Sequence, residues 1–234
     1  MDNIQTRVTL DDSLNALTDD LVRLSSKIDT AIEQSVQAYS NCDIELAQQI
    51  ISEDTIINEK RFEIEERCLQ IMVTQQPVAG DMRMIVTGMN IVTELERMGD
   101  HAAGIARLAV RVEEVPKRDV PGGIFQISTQ CRDMLRRSVE AFIQRDASKA
   151  YAVAANDDNL DTQYRLLFHK TVAETRDASK STDHLLSVLF VAHNLERIGD
   201  RATNIAERVI FMTSGKLTEL NVYCLLYTSP SPRD

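Results

Sequence analysis

Apolar side chains recur three and four residues apart along two long stretches of the chain. In the first, Ile85, Met89, Val92, Gly99, Ala103, Ala106 and Val110 fall on one line with 4-3-4-3 spacing. In the second, Leu185, Leu189, Ala192, Gly199, Thr203, Ala206 and Ile210 repeat that line. This period is that of a helix with one face against a core. Breaks between periodic segments predict three long helices in each half. The first three run about 9–40, 43–75 and 79–115, with Asp43 as an N-cap and Pro77 and Pro116 as stops. The second three run about 124–144, 146–177 and 181–213, the last capped by Ser181 or Thr182. Helices of roughly 33 residues are about 50 Å long, so elongated bundles are expected.

The two halves are copies. Leu95-Glu-Arg-Met-Gly-Asp-His-Ala-Ala-Gly-Ile-Ala106 matches Leu195-Glu-Arg-Ile-Gly-Asp-Arg-Ala-Thr-Asn-Ile-Ala206 at eight of twelve positions, 100 residues apart. Upstream the offset is 103: Ser35, Val36, Ala38, Asp43, Ala47 and Asp54 match Ser138, Val139, Ala141, Asp146, Ala150 and Asp157. The expected fold is all-α, two tandem three-helix bundles related by internal duplication. The copies span residues 8–115 and 124–213, and the Pro- and Gly-bearing stretch 116–123 is the linker.

Composition narrows the functions. The 234 residues carry 26 Lys+Arg against 36 Asp+Glu, a net charge of −10. Nucleic acid is therefore not an expected partner, and cations are. No run reaches the roughly 18 apolar residues of a membrane span, and the amino terminus lacks the basic and apolar regions of a signal peptide. Four cysteines without a Cys-x-x-Cys give a cysteine zinc site or disulfide framework little support and make a reducing cytoplasm the default. Residues 224–234, CLLYTSPSPRD, read as the translation of a sequencing adapter. They are treated as foreign, with the natural carboxy terminus expected to be missing.

One acid interrupts each apolar line, Glu96 in the first copy and Glu196 in the second, and Asp100 and Asp200 follow at i+4. Carboxylates one turn apart beside a core repel, and a hard cation with oxygen ligands offsets that cost. The preceding helix carries Asp54-x-x-x-Asn58 in one copy and Asp157-x-x-x-Asp161 in the other. In an antiparallel hairpin these pairs come level with the Glu/Asp pairs, being equally far from the turn. Asn58 leaves the first cluster one charge poorer. Ion pairing is the competing account. Arg97 and Arg197 project about 100° from the preceding glutamates and answer the acids poorly, whereas Arg83 or another helix could supply the charge. His193, at i−3 from Glu196, is read as a partly buried polar side chain, and His101, His169 and His184 as surface residues. Met82, Met84, Met89 and Met98 are read as core.

The doubled Leu-Glu-Arg-Met/Ile-Gly-Asp motif followed by Ile-Ala, with Gln75-Gln-Pro-Val-Ala-Gly-Asp-Met-Arg83 before its first copy, resembles the PhoU family over roughly residues 8–213. That resemblance implies PhoU-like bundles with metal at Glu96 and Asp100, and at Glu196 and Asp200, faced by Asp54, Asp157 and Asp161. It implies divalent or trivalent ions, with Mg, Mn, Fe and Zn all open. It also implies a non-enzymatic, cytoplasmic homodimer that negatively regulates the phosphate-starvation response. The partners implied are a Pst-type phosphate transporter ATPase at the membrane and a PhoR-type histidine kinase. Gly104 departs from the pattern, standing where the second copy and the family have Asn (Asn204), and is expected to weaken a hydrogen bond supporting the first site. A metal-free helical scaffold is the alternative. A di-metal carboxylate oxidoreductase is a remote one, because no histidine has Glu at i−3.

Overall fold

The computed structural model describes residues 2–111, 119–177, 179–217 and 220. Among them it contains seven helices and no strand: α1 (Asp2–Asn41), α2 (Ile44–Gln75), α3 (Ala79–Arg111), α4 (Gly122–Gln144), α5 (Ala147–Ala154), α6 (Asp157–Glu174) and α7 (Thr182–Ser214). Helices α1–α3 pack as one bundle and α4–α7 as a second. The expected stop at Pro116 and the tail 224–234 lie outside the described residues.

Caps fall where the sequence places them. The Asp43 carboxylate accepts from the Leu46 N–H, and the Ser181 hydroxyl accepts from His184, each satisfying a backbone donor that the first turn leaves open. Three boundaries differ from expectation. Helix α1 starts at Asp2, seven residues before the expected start near 9. Helix α4 already begins at Gly122 behind Pro121, so the two glycines assigned to the linker are helical. The helix expected over 146–177 is broken at Ala155 and Asn156. There the Asn156 side-chain amide donates to the Ala152 carbonyl, a local bond of the kind by which asparagine competes with the helix ladder. The break places Asp157, only 3% exposed, in the first turn of α6, where the open N–H groups favour a negative charge.

The two bundles lie side by side. Helices α3 and α7 run antiparallel from Arg83 to His101 and from Met212 to Asn194, and partner numbers fall as fast as own numbers rise. Arg83 Nε donates to the Met212 carbonyl at 3.1 Å and Thr87 Oγ1 to that of Arg208 at 3.3 Å. Further along, Glu94 faces Arg201 at 3.4 Å and His101 faces Asn194 at 3.1 Å. Helices α1 and α4 add a second tie. Arg132 and Arg136 donate to the two oxygens of Asp29 at 2.9 and 2.8 Å, and Arg132 reaches Glu33 at 2.6 Å. Burial pulls the Asp29 carboxyl up, but the two guanidinium groups outweigh it and hold it below its usual range.

Glycines set how closely the helices approach. A Cβ on Gly99 would stand 3.1 Å from Ile57 and 3.2 Å from Ile28. In the second copy, a Cβ on Gly199 would meet Leu160 at 2.9 Å. Ile57 and Leu160 are themselves equivalent at the 103-residue offset, so both hairpins use one packing solution. Gly199→Val should lower stability by about 1–3 kcal/mol through overpacking, read from urea unfolding. The same change at Gly80, which has nothing within 4 Å, should cost far less. Equal losses at the two sites would discount this contact.

Candidate functional site

Each hairpin brings its acids together. In the first copy, Asp54 on α2 lies within electrostatic reach of Asp100 and Glu96 on α3. Burial, together with these neighbours and against the pull of Arg107, holds the Asp54 carboxyl above its usual value. In the second copy, Glu196 on α7 feels Asp200, Asp161 and Asp157. Burial first, then Asp200, pushes Glu196 up to about 7. Asp161 is also raised, by burial and by Asp200. All seven acids named from sequence therefore fall into two groups at equivalent places. Their exposures differ: Asp100 stands exposed, Asp200 is partly covered, and Asp157 is buried.

The surroundings of the two groups are not equivalent. Arg61 on α2 donates from Nη1 to Glu96 Oε1 at 3.0 Å and from Nε to Glu65 at 2.9 Å. Arg107 on α3 lies 3.6 Å from Asp54 Oδ2. The Asn58 amide turns back to the Asp54 carbonyl at 3.1 Å. Neither arginine was found from sequence. Arg61 belongs to the neighbouring helix, and Arg107 lies two turns beyond Asp100. At the repeat offsets their second-copy counterparts are Tyr164 and Glu207, and that change of charge was a readable signal. Tyr164 instead packs near Phe168, with ring centroids 6.1 Å apart, and near His193 at 6.5 Å.

Other expectations need correcting. Arg197 does answer an acid: its Nη1 donates to Asp200 Oδ2 at 3.0 Å, because three residues along a helix is nearly one turn and the side chain is long enough to span it. Arg97 pairs with Glu94 instead, at 3.3 Å, and Arg83 with a backbone carbonyl. His193, expected to be partly buried, is exposed, with Nδ1 3.6 Å from Glu196. His101, expected at the surface, is half-buried between the bundles, and burial and the nearby Arg201 and Arg197 lower its pKa. Gly104 weakens nothing at the first site. A Cβ there would meet Asn194 Oδ1 at 3.0 Å, so the residue is small because α7 crosses closely. Its counterpart Asn204 donates to Glu94 at 3.2 Å.

The PhoU domain family matches residues 21–109 and again 124–209. A phosphate-specific transport system accessory protein PhoU homolog of Clostridium acetobutylicum is 35% identical over 217 residues, 92% of this chain and 99% of its own. A homolog of the same description from Streptococcus pneumoniae is 30% identical over 215 residues, 92% of this chain and 100% of its own. Among solved structures, the phosphate transport system regulatory protein PhoU from Streptococcus pneumoniae superposes with a TM-score of 0.84 at 28% identity, over 90% of this chain and 99% of that one. PhoU from Pseudomonas aeruginosa gives 0.82 at 30%, over 88% and 99%.

For a metal, the donor set is chemically suitable: carboxylate oxygens suit hard cations. Asp54 Oδ1 and Glu196 Oε2 are buried without a hydrogen-bond partner, as a ligand atom would be. Among the described residues, however, no three His, Cys, Asp or Glu side chains already stand in metal-holding geometry. The raised Glu196 sets a pH dependence for the metal-free protein. A carboxyl whose folded pKa lies above its unfolded value contributes least once ionised. Its contribution is therefore present below about 4.5 and lost as pH rises through about 7. In chelator, Glu196→Gln should gain about 1–2 kcal/mol over wild type at pH 8 and little at pH 5. Urea midpoints at the two pH values check this, and a gain independent of pH would contradict it.

Proposed function

The chain belongs to the PhoU family, and on that footing we propose that it is a regulatory adaptor that negatively regulates the phosphate-starvation response and phosphate uptake. Its coarser role follows from membership: it is an accessory or regulatory protein of phosphate transport and not an enzyme. The proposal adds the partners. The adaptor links the ATPase of a Pst-type phosphate transporter to a PhoR-type histidine kinase, working in the cytoplasm as a homodimer. It meets the membrane only through those proteins; among the described residues no helix is long and apolar enough to cross one.

The observation that carries this reading is the match along nearly the full length of relatives named as accessory proteins of a phosphate-specific transport system. The helix surfaces are consistent with it. Phe62, Leu69 and Val73 on α2, and Leu166 and Phe190 on the second bundle, are large apolar side chains left exposed, the kind of surface that partner proteins cover.

Metal belongs to the same reading. Glu196 and Asp200, with Asp157 and Asp161 facing them, would hold a hard divalent or trivalent ion. Glu96, Asp100 and Asp54 form the corresponding set of the first copy. A bound ion would supply the positive charge that carboxylates in a covered hairpin call for. The chain's own residues fix where the donors stand: Gly199 lets Leu160 close over the hairpin, and the start of α6 holds Asp157.

The test is co-purification of the tagged full-length protein from phosphate-replete cells after mild cross-linking. The transporter ATPase and the kinase should both be enriched at least about tenfold over an untagged control. Recovery of neither would remove the adaptor role.

A further inference from the structure

Duplication gives the chain two equivalent carboxylate groups, but the structure surrounds them differently. Around the first, one guanidinium is hydrogen-bonded to Glu96 and a second stands near Asp54. Arg61 holds Glu96 at 3.0 Å, where both side chains are mostly covered, and Arg107 stands 3.6 Å from Asp54. The position that carries a fourth acid in the second copy, Asp161, is Asn58 here, and its amide is spent on the Asp54 carbonyl. Around the second group those supports are gone. Tyr164 replaces Arg61, Phe168 replaces its partner Glu65, and Glu207 replaces Arg107. Glu196 Oε2 is buried with no hydrogen-bond partner, and its nearest basic group is the exposed His193 at 3.6 Å. Arg197 hydrogen-bonds the outer acid, Asp200, and reaches Glu196 only through its longer-range field, as Arg165 reaches Asp161.

We propose that the first site has exchanged metal for arginine: Arg61 and Arg107 act as its built-in counter-cations, so any metal ion the chain binds at these motifs goes to the second copy. This rests on the metal reading above and narrows it to one hairpin. The physical ground is exclusion. Arg61, hydrogen-bonded to Glu96, occupies a lone pair a cation needs. Arg107 makes no hydrogen bond to Asp54 and leaves its Oδ1 unpartnered, so at Asp54 exclusion is by charge alone: the two fixed positive charges repel a divalent ion within a few ångströms. Arginine stays protonated throughout the usable pH range, so the first site keeps its charge whatever metal is available.

The experiment uses the full-length protein stripped with chelator and dialysed to equilibrium against Mn²⁺, with metal per chain measured by mass spectrometry and melting followed by circular dichroism. Wild type and E96Q/D100N should hold the same amount of Mn²⁺, and E196Q/D200N should lose it. R61Y/R107E, which installs the second copy's residues, should gain additional Mn²⁺. Without metal it should melt about 4 °C below wild type and recover when Mn²⁺ is added. Equal loss of metal from E96Q/D100N and E196Q/D200N would overturn the inference while sustaining the metal reading. A wild type that takes up no Mn²⁺ would defeat the metal reading. The arginine variant then decides the inference alone: lowered melting with new uptake upholds it, and unchanged melting without uptake overturns it. If the double variant does not fold, R61Y is read by the same criteria.

Discussion

Contact between α3 and α7 constrains both halves of the molecule. Each helix buries one side in its own bundle, along the line through Ile85 and Ala103 or Leu185 and Ala206. The opposite side is taken by the seam, where Arg83, Thr87, Glu94 and His101 meet Met212, Arg208, Arg201 and Asn194. A helix packed on two opposite sides leaves few places where a charge reaches water. An acid on either side must find an answer locally. Glu94, on the seam side, finds Arg201 and Asn204. Glu96, on the bundle side, finds Arg61. Glu196, in the equivalent place, has only His193 near its inner oxygen.

Much of this was legible in the sequence, and what was not has a common cause. Periodicity and duplication fix the long helices and their arrangement as two bundles, because helical period and capping are local properties. Height matching across the Pro77 turn brings Asp54 level with Glu96 and Asp100, since an antiparallel hairpin leaves little freedom in register. The partners of those acids were harder. Arg61 and Arg107 answer them through rotamers and helix rotation that spacing does not specify, although comparison of the two copies at 61 and 164, and at 107 and 207, held the clue. The α3–α7 register was not legible, because it belongs to the contact between copies and not to either copy. For the same reason the meaning of Gly104 was missed: the side chain that needs its space, Asn194, is 90 residues away. The break at Asn156 is a single residue's local competition within an otherwise continuous pattern.

Breaking the helix there changes the electrostatics of the second hairpin. In the first copy α2 runs unbroken past Asp54, so that carboxylate sits mid-helix, where N–H groups are already engaged. In the second copy α6 begins at Asp157, which meets the partial positive charge of a helix start. The two equivalent aspartates thus stand in unlike surroundings, Asp54 beside the Arg107 guanidinium and Asp157 at the start of a helix.

The clasp between α1 and α4 carries a lesson about ancestry. At the offset that aligns the copies, Asp29 corresponds to Arg132 and Glu33 to Arg136, so residues in the same station of the repeat grip each other across a pseudo-symmetry axis. Two identical polypeptides assembled this way would set aspartate against aspartate or arginine against arginine. Only once the two copies differ in sequence can one partner be acidic and the other basic. The halves have since become complementary rather than interchangeable, and neither could now rebuild this arrangement by pairing with itself.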